Sequence, residues 1–197
     1  YRHQLNLKLH MVEDALSRVG GFDNIPVSPT LGSDEHNYRN HARFTVNPHG
    51  RLGFVHRERR RFVDIEQCML MNDSINEILG KLQGHCKETT QASVRYGVNS
   101  GSFLVQPTLK NIDVPLESGQ KHYREILNGV PFRVAASSFF QVNTLQAERI
   151  VELVRQSLQL SGNETVVDAY AGVGTFAALL SPHASKVIAI EESASAI

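Results

Sequence analysis

The sequence of 197 residues contains only two cysteines, Cys68 and Cys86. Two thiols cannot form the disulfide framework of a small secreted domain, and this low cysteine content fits a reducing compartment. No apolar run approaches the roughly 18 residues that a membrane-spanning helix needs. Charged residues throughout the first twenty positions exclude the apolar segment of a signal peptide. We therefore expect a cytoplasmic protein with no membrane partner.

The sequence also lacks a net charge, because 20 basic and 20 acidic side chains cancel. The charges are nevertheless unevenly distributed. Between Asn37 and Arg61 there are seven arginines and one acidic residue, whereas from Thr144 onward there are six acidic and three basic residues. One part of the chain is therefore suited to binding a polyanion, and the other is not.

The first 134 residues are predicted to form a helix, a linker and a β-rich domain. Apolar residues spaced by four and three positions between Leu5 and Val19 predict an amphipathic helix, and a turn-rich linker completes residues 1–29. Alternating residues on both sides of "PHG" predict a hairpin over Asn40–His56. "RFVDIEQC" is predicted to be a third strand, and a short helix is predicted to be capped by Asn72 or Asp73. Four more strand patterns follow, so we predict an α+β domain over residues 30–134.

Residues 135–197 have a different pattern. "NTLQAERIVELVRQSL" is helical, and "ETVVDAY" and "KVIAIE" are predicted to be fully buried strands on either side of a glycine loop and a helix. Continuous apolar strands that alternate with helices indicate a parallel sheet. Doubly wound sheets usually have about five or more strands. We therefore expect residues 135–197 to be the first part of an incomplete α/β domain.

The glycine loop is compatible with more than one ligand. Gly172, Gly174 and Ala177 satisfy the dinucleotide pattern G-x-G-x-x-G/A, and a turn that merely needs glycine is also open. Asp168 would repel a pyrophosphate but attract the sulfonium and ammonium groups of S-adenosylmethionine. Glu191, at the end of the next strand, can accept hydrogen bonds from ribose hydroxyls with either ligand. These features favour S-adenosylmethionine.

Ser137–Asn143, "SSFFQVN", places two aromatic rings and two amides just before this domain. Two interpretations of this segment are open. It is either a strip beside the cofactor whose rings can stack, or a buried Phe pair followed by an Asn helix cap. With "VVDAYAGVGTF…VIAIE", "NYRNHARFTV", "GRLGFVHRERRRFVDIEQCMLM" and "YRHQLNLK", it resembles the RNA uracil-C5 methyltransferases, which make 5-methyluridine in ribosomal and transfer RNA. The resemblance covers almost the whole chain and is best to the branch that modifies 23S ribosomal RNA.

The resemblance implies a β-rich central RNA-binding domain followed by a Rossmann-like class I S-adenosylmethionine-dependent methyltransferase domain. It implies that Gln141 contacts the methionine part of the cofactor and that Glu191 holds its ribose. The pocket is then lined by Tyr170 and the backbone of Ala171, Gly172 and Gly174. Phe139 would lie against the target uracil or its neighbour. Arg43, with Arg39 in the same arginine cluster, would contact RNA, although an outward hairpin charge is an equal alternative for Arg43.

The resemblance also assigns the two cysteines. In the iron–sulfur branch a cysteine in "DIEQC" is the fourth ligand of a [4Fe–4S] cluster, so Cys68 is a candidate ligand only in an intact protein. Otherwise it is a half-buried thiol, and Cys86 matches no functional position. The family attacks uracil C6 with a cysteine thiolate, and a base later removes the C5 proton. Both groups are expected after Ile197, so we expect an inactive internal fragment.

The expected partner is therefore RNA, with ribosomal RNA favoured and transfer RNA as the alternative, and the protein is expected to be monomeric. Three other classes stay open from the sequence. They are a cytosine-C5 RNA methyltransferase, an NAD-dependent oxidoreductase, and a non-catalytic RNA-binding module that would leave Asp168, Glu191 and the glycine loop unexplained.

Overall fold

The computed structural model describes residues 1–110, 113 and 116–196, and its contacts divide the chain into two compact units, Tyr1–Glu35 and His36–Ile197. The first unit contains helix α1, Arg2–Asp14, which continues as one π-helical turn over Ala15–Val19. Gly20 caps that turn. These helical residues confirm the helix predicted from the apolar spacing. No helix in the described part of the chain is long and apolar enough to cross a membrane.

The second unit begins with a five-stranded antiparallel sheet. Its strands are β1 (His41–Val46), β2 (Leu52–Val55), β3 (Phe62–Asp64), β4 (Gln91–Tyr96) and β5 (Phe103–Gln106), in the spatial order β3-β2-β1-β4-β5. The β1–β2 hairpin confirms the prediction, whereas the third strand is shorter than the predicted "RFVDIEQC". Helix α2, Asp73–Leu82, is capped by the side chain of Asn72, which accepts a hydrogen bond from the Ser74 backbone N–H.

The two faces of this sheet differ in chemistry. Alternate residues of β1 and β4 are buried beneath α2 and form the first core with the apolar side of that helix; among them are Ala42, Phe44, Val46, Ala92, Val94, Ile75, Leu79 and Leu82. Because side chains alternate along a strand, His41 and Arg43 of β1 lie on the opposite face. The register places Arg95 across from His41 and Ser93 across from Arg43. The sheet therefore has one apolar face and one basic, polar face.

A separate hairpin connects the sheet to the glycine-loop region. It consists of β6 (His122–Leu127) and β7 (Val130–Ala135), joined by Asn128 and Gly129 in left-handed conformations that suit a two-residue turn. Helix α3, Thr144–Leu158, follows. The buried side of the hairpin forms a second core with α3 and the next helix, through residues such as Leu127, Phe132, Phe140, Ala147, Val151 and Leu179. This core contains residues from both sides of the predicted domain boundary between residues 134 and 135, and that boundary stays a prediction.

The last elements are β8 (Thr165–Asp168), α4 (Thr175–Leu180), a 3-10 turn over Ser181–His183, and β9 (Lys186–Ala189). Strands β8 and β9 pair in parallel, which confirms the predicted βαβ unit. The prediction that both strands are fully buried is wrong. Val167 is 56% exposed and Ile188 is 38% exposed. Strand side chains are buried only where another layer packs over the face of the sheet, and in the described residues these two side chains of the two-stranded sheet are left uncovered.

Gly53 and Gly80 allow a direct test of the sheet packing. A Cβ atom added at Gly53 of β2 would overlap the Val63 carbonyl oxygen of β3, so Gly53→Ala must separate the two strands. We expect it to lower the free energy of unfolding by about 1–3 kcal/mol. Gly80→Ala, on the exposed side of α2 with no atom within 4 Å, should raise that free energy by about 0.5–1 kcal/mol. Urea denaturation measures both, and equal effects would contradict the strand contact.

Candidate cofactor cleft and RNA-contacting surface

The glycine loop connects the end of β8 to the start of α4. Gly172 and Gly174 have φ values of 57° and 79°, a left-handed conformation that other residues adopt only with strain, and Gly174 caps α4. A Cβ added at either position would have no atom within 4 Å. Glycine is therefore required here by backbone conformation rather than by crowding, and the space beside the loop is open.

Two carboxylates accept hydrogen bonds from backbone N–H groups of the loop and of its flanking segments. Asp168 Oδ2 accepts a hydrogen bond from the Ala177 N–H of α4 at 3.1 Å. Glu191 Oε2 accepts from the Gly172 N–H at 2.6 Å, and its Oε1 accepts from the Ser193 N–H at 2.7 Å. The Ser193 and Gly172 N–H groups lower the pKa of Glu191 below its ordinary value. Each carboxylate oxygen keeps a second lone pair that can accept from a ligand.

Most of the residues predicted to bind the cofactor border one cleft. Its lining includes Phe139, Gln141, Tyr170, Ala171 and Gly172, together with apolar side chains of α3 and α4. Phe139 and Tyr170 are 73% and 93% exposed, so both rings are accessible for stacking. Gly174, Asp168 and Glu191 are outside this lining. They shape the loop through the cap and the hydrogen bonds given above, and their roles toward a cofactor stay predictions.

The two rings of "SSFFQVN" have different environments. Phe140 is buried and packs edge-to-face against Tyr123, with ring centroids 6.4 Å apart, and against Phe132 at 6.3 Å. Phe139 is turned outward into the cleft. Asn143 caps α3 by accepting a hydrogen bond from the Gln146 N–H. The buried ring and the Asn cap are therefore observed for Phe140 and Asn143, whereas Phe139 borders the cleft and its role in stacking stays a prediction.

A buried polar network, which the sequence did not indicate, holds this segment in place. The Asn40 side-chain amide donates to the Gln141 carbonyl oxygen at 3.0 Å and to the Thr144 hydroxyl at 2.9 Å. Thr144 in turn donates to Glu125 Oε2 at 2.8 Å, and Glu125 is fully buried. From β4, Arg95 Nη1 donates to the Ser138 carbonyl oxygen at 2.7 Å. No local sequence pattern distinguishes these buried polar side chains from ordinary surface residues.

The predicted RNA-contacting arginines lie at the basic face of the five-stranded sheet. Arg43 donates through Nε and Nη2 to Gln91 Oε1, and Arg39 Nε donates to the His41 carbonyl oxygen. Neither forms an ion pair within the described residues. Burial, together with the positive charges of Arg95, Arg39 and Arg43, lowers the pKa of His41 to about 4. The imidazole is therefore neutral at pH 7, and the arginines alone provide the positive potential of this face.

Both cysteines belong to the core of the five-stranded sheet rather than to the cleft. Cys86 is fully buried, and burial, with a contribution from the charge of Glu88, raises the pKa of its thiol to about 11. Cys68 is half-buried, and its backbone N–H and carbonyl are both bonded to the Asn76 side chain. The described residues contain no group of three or more His, Cys, Asp or Glu side chains that could hold a metal ion.

Thiol labelling tests this placement of the cysteines. With a disulfide reagent at pH 8, we expect one thiol, Cys68, to react at least about 100-fold faster than Cys86, because burial and a raised pKa suppress the thiolate of Cys86. Cys68→Ala should remove the fast phase and leave one thiol that reacts only after denaturation. Two fast thiols in the folded wild-type chain would contradict the buried position of Cys86.

The chain is similar in sequence to proteins named RNA methyltransferases. No family model matches the chain. It is 25% identical to an uncharacterized RNA methyltransferase of Halalkalibacterium halodurans and 28% identical to one of Synechocystis, in each case over 97% of the chain. These alignments cover 54% and 53% of the two relatives, so the chain spans about half the length of the curated relatives it matches.

A solved structure shows the same fold. It is the crystal structure of Pyrococcus abyssi tRNA (uracil-54, C5)-methyltransferase in complex with S-adenosyl-L-homocysteine. The TM-score is 0.73 at 22% sequence identity, and the match covers 98% of this chain and 58% of that chain. The chain is therefore similar in sequence to proteins named RNA methyltransferases and shares the fold of a solved tRNA uracil-C5 methyltransferase, in agreement with the resemblance found in the motifs.

Proposed function

We propose that this chain carries the S-adenosylmethionine cleft and part of the RNA-binding surface of an enzyme that methylates uracil C5 in RNA. The observation that carries the proposal is the convergence of the glycine loop, Tyr170 and the outer residues of "SSFFQVN" on one cleft. Two further facts support it. The relatives are named RNA methyltransferases, and the solved neighbour is a uracil-C5 enzyme in complex with S-adenosyl-L-homocysteine.

The residues that line the cleft and the two carboxylates that hold the glycine loop fit the cofactor, which supplies the methyl group when it is bound. Glu191, held as a carboxylate against the loop, has lone pairs left for the ribose hydroxyls. The Gln141 side chain borders the same cleft and can hydrogen-bond the methionine part. Asp168 supplies negative charge near a sulfonium and an ammonium group. A dinucleotide has neither cation, so these residues favour S-adenosylmethionine over NAD.

The RNA would approach from the side of Phe139 and the basic sheet face. An exposed ring next to the cleft can stack on a base that has been extruded from its neighbours. Arg39 and Arg43 would contact the RNA backbone, since neither guanidinium is neutralised by a carboxylate in the described residues. We place the enzyme in the cytoplasm, with which its two free cysteines agree, and expect it to act as a monomer.

Neither cysteine of this chain is placed to attack a uracil in the cleft. Both are packed in the first core, on the side of the sheet covered by α2. We therefore propose that the reacting thiol comes from residues other than these 197, and that this chain alone does not turn over RNA. A [4Fe–4S] cluster needs four ligands, and Cys68 is a single one, so the described residues do not fit that group.

We propose ribosomal RNA as the substrate because the motifs resemble the 23S branch most closely. Transfer RNA is the second candidate, because the solved neighbour is named for uracil 54 of tRNA. Tritium release from RNA labelled at uracil C5 tests both. A protein extended to the length of the relatives should release tritium in the presence of S-adenosylmethionine, faster from 23S transcripts than from tRNA. Absence of release from both RNAs would contradict the reaction, and release by the 197-residue chain alone would contradict the proposed source of the thiol.

A further inference from the structure

The outer face of the β6–β7 hairpin is unusually basic. His122, Arg124 and Arg133 are exposed on this face, whereas the opposite face of both strands is buried and consists of Tyr123, Glu125, Leu127, Phe132 and Val134. Lys121, immediately before β6, is also exposed. We call these four residues the hairpin basic face. It does not include Arg39 or Arg43, the residues that the sequence motifs assigned to RNA.

Two arginines of the hairpin basic face lie directly opposite each other. The register pairs Arg124 of β6 with Arg133 of β7. Like charges at directly opposed positions destabilise an antiparallel pair. In the part of the chain that the structure describes, neither arginine forms an ion pair. The nearest acidic residue of the same strand, Glu125, is buried on the other side with its own donors. An anionic ligand would relieve this repulsion.

The hairpin basic face continues into both regions already described. One surface depression is lined by Lys121, His122 and Arg133 and extends to Val173 of the glycine loop. A second depression is lined by His41, Arg43 and Arg95 of the basic sheet face. The two share Gln106, Ala136 and Ser137 in their linings, and no acidic side chain of the described residues lines either one. The basic side chains therefore form one path from β1 to the glycine loop.

We propose that the hairpin basic face binds phosphates of a single RNA strand as that strand passes from the basic sheet face to the cleft. This inference rests on the proposed function for the identity of the ligand and adds a binding surface to it. A single strand fits better than a duplex, because the path ends beside a cleft whose exposed Phe139 ring needs an unstacked base. Arginine and lysine side chains supply the charge-assisted hydrogen bonds that phosphate oxygens accept.

Salt-dependent RNA binding tests the proposal. The 197-residue chain and its Lys121→Gln/Arg133→Gln variant are titrated against a labelled uridine-containing single strand of about 12 nucleotides. The plot of log affinity against log salt has a negative slope, and removal of two phosphate contacts should make it shallower by about 1.4. Binding at low salt should become about tenfold weaker. Lys81→Gln, which removes one charge from α2 on the opposite side of the sheet, is the control and should change neither quantity.

A second variant separates binding from folding. Arg124→Gln removes the like-charge pair, so it should weaken RNA binding while leaving Tm equal or higher, a combination that a purely structural role would not give. Unchanged affinity and slope in the double variant, an equal effect of Lys81→Gln, or displacement of RNA by polyglutamate at equal charge would overturn the proposal. Affinity for S-adenosylhomocysteine should be the same in all variants. If the wild-type chain does not bind S-adenosylhomocysteine at all, that result would instead count against the proposed function.

Discussion

Glu191→Ala is expected to weaken the binding of S-adenosylhomocysteine about 100-fold. The substitution removes the carboxylate that would accept hydrogen bonds from the ribose hydroxyls. Hydrogen bonds to a charged group contribute about 1.5–3 kcal/mol each. The substitution also frees the Gly172 and Ser193 N–H groups, so the loop that borders the cleft loses its anchor. Isothermal titration of the wild-type and variant chains measures the change.

Glu192→Ala is the matched control for this experiment. Glu192 is the next residue, is exposed, and carries the same charge, so its removal should change the affinity less than about twofold. If Glu191→Ala also leaves the affinity unchanged, Glu191 does not hold the ribose. Equal losses in both variants would mean that overall charge, and not a specific contact, determines the affinity.

The lowered pKa of Glu191 adds a pH dependence to this prediction. The Ser193 and Gly172 N–H groups favour the carboxylate, so the folded pKa lies below the ordinary value of 4.5. The interaction is therefore complete above that ordinary value and is lost only as the pH falls through the lowered pKa. We expect the affinity for S-adenosylhomocysteine to be the same at pH 7 and at pH 5. A steep loss between these two values would contradict the hydrogen bonds to the loop.

Glu125→Ala should have the largest effect on stability, about 3–5 kcal/mol in the free energy of unfolding. Glu125 is fully buried and accepts hydrogen bonds from the Val98, Asn99 and Ile126 N–H groups and from the Thr144 hydroxyl. Its truncation leaves the buried Thr144 hydroxyl and three partly buried N–H groups without their acceptor. Each unsatisfied buried donor costs about 1–3 kcal/mol before the site relaxes. Urea denaturation followed by circular dichroism measures the loss.

Glu125→Gln and Glu58→Ala distinguish the network from a general effect of charge. In Glu125→Gln the new side-chain amide keeps one oxygen for two donors and turns its NH₂ group toward the other two, so we expect an intermediate loss. Glu58 lies exposed in a turn, and Glu58→Ala should change stability by less than about 0.5 kcal/mol. Equal stability of Glu125→Ala and Glu58→Ala would contradict the buried network.

Local patterns in the sequence were sufficient to predict most of the elements. Alternating residues predict β1 and β2, the Asn72 cap marks the start of α2, and the G-x-G spacing marks the loop after β8. These features depend on neighbours within a few positions of the chain. The exposure of Val167 was not predictable in this way. An apolar strand only predicts burial, and whether another layer covers it depends on the rest of the sheet.

The candidate site was predictable in its residue types but not in its support. Motifs indicated Gln141, Tyr170 and the glycine loop, and the structure brings these residues to one cleft. That Phe139 is outward and Phe140 is buried depends on the packing of Phe140 against Tyr123 and Phe132, which belong to the two strands of the preceding hairpin. The link from Asn40 to Gln141 joins residues 101 positions apart. Contacts of this range leave no periodic signal in a single sequence.

The assignment of the cleft to S-adenosylmethionine is tested most directly by which nucleoside ligand the 197-residue chain binds. Isothermal titration with S-adenosylhomocysteine should give saturable binding of one ligand per chain, with an affinity at least about tenfold higher than that for NAD. The physical reason is the carboxylate of Asp168 at the start of the loop, which disfavours a pyrophosphate. Preferential binding of NAD, or no binding of S-adenosylhomocysteine by the folded chain, would contradict the assignment of the cleft.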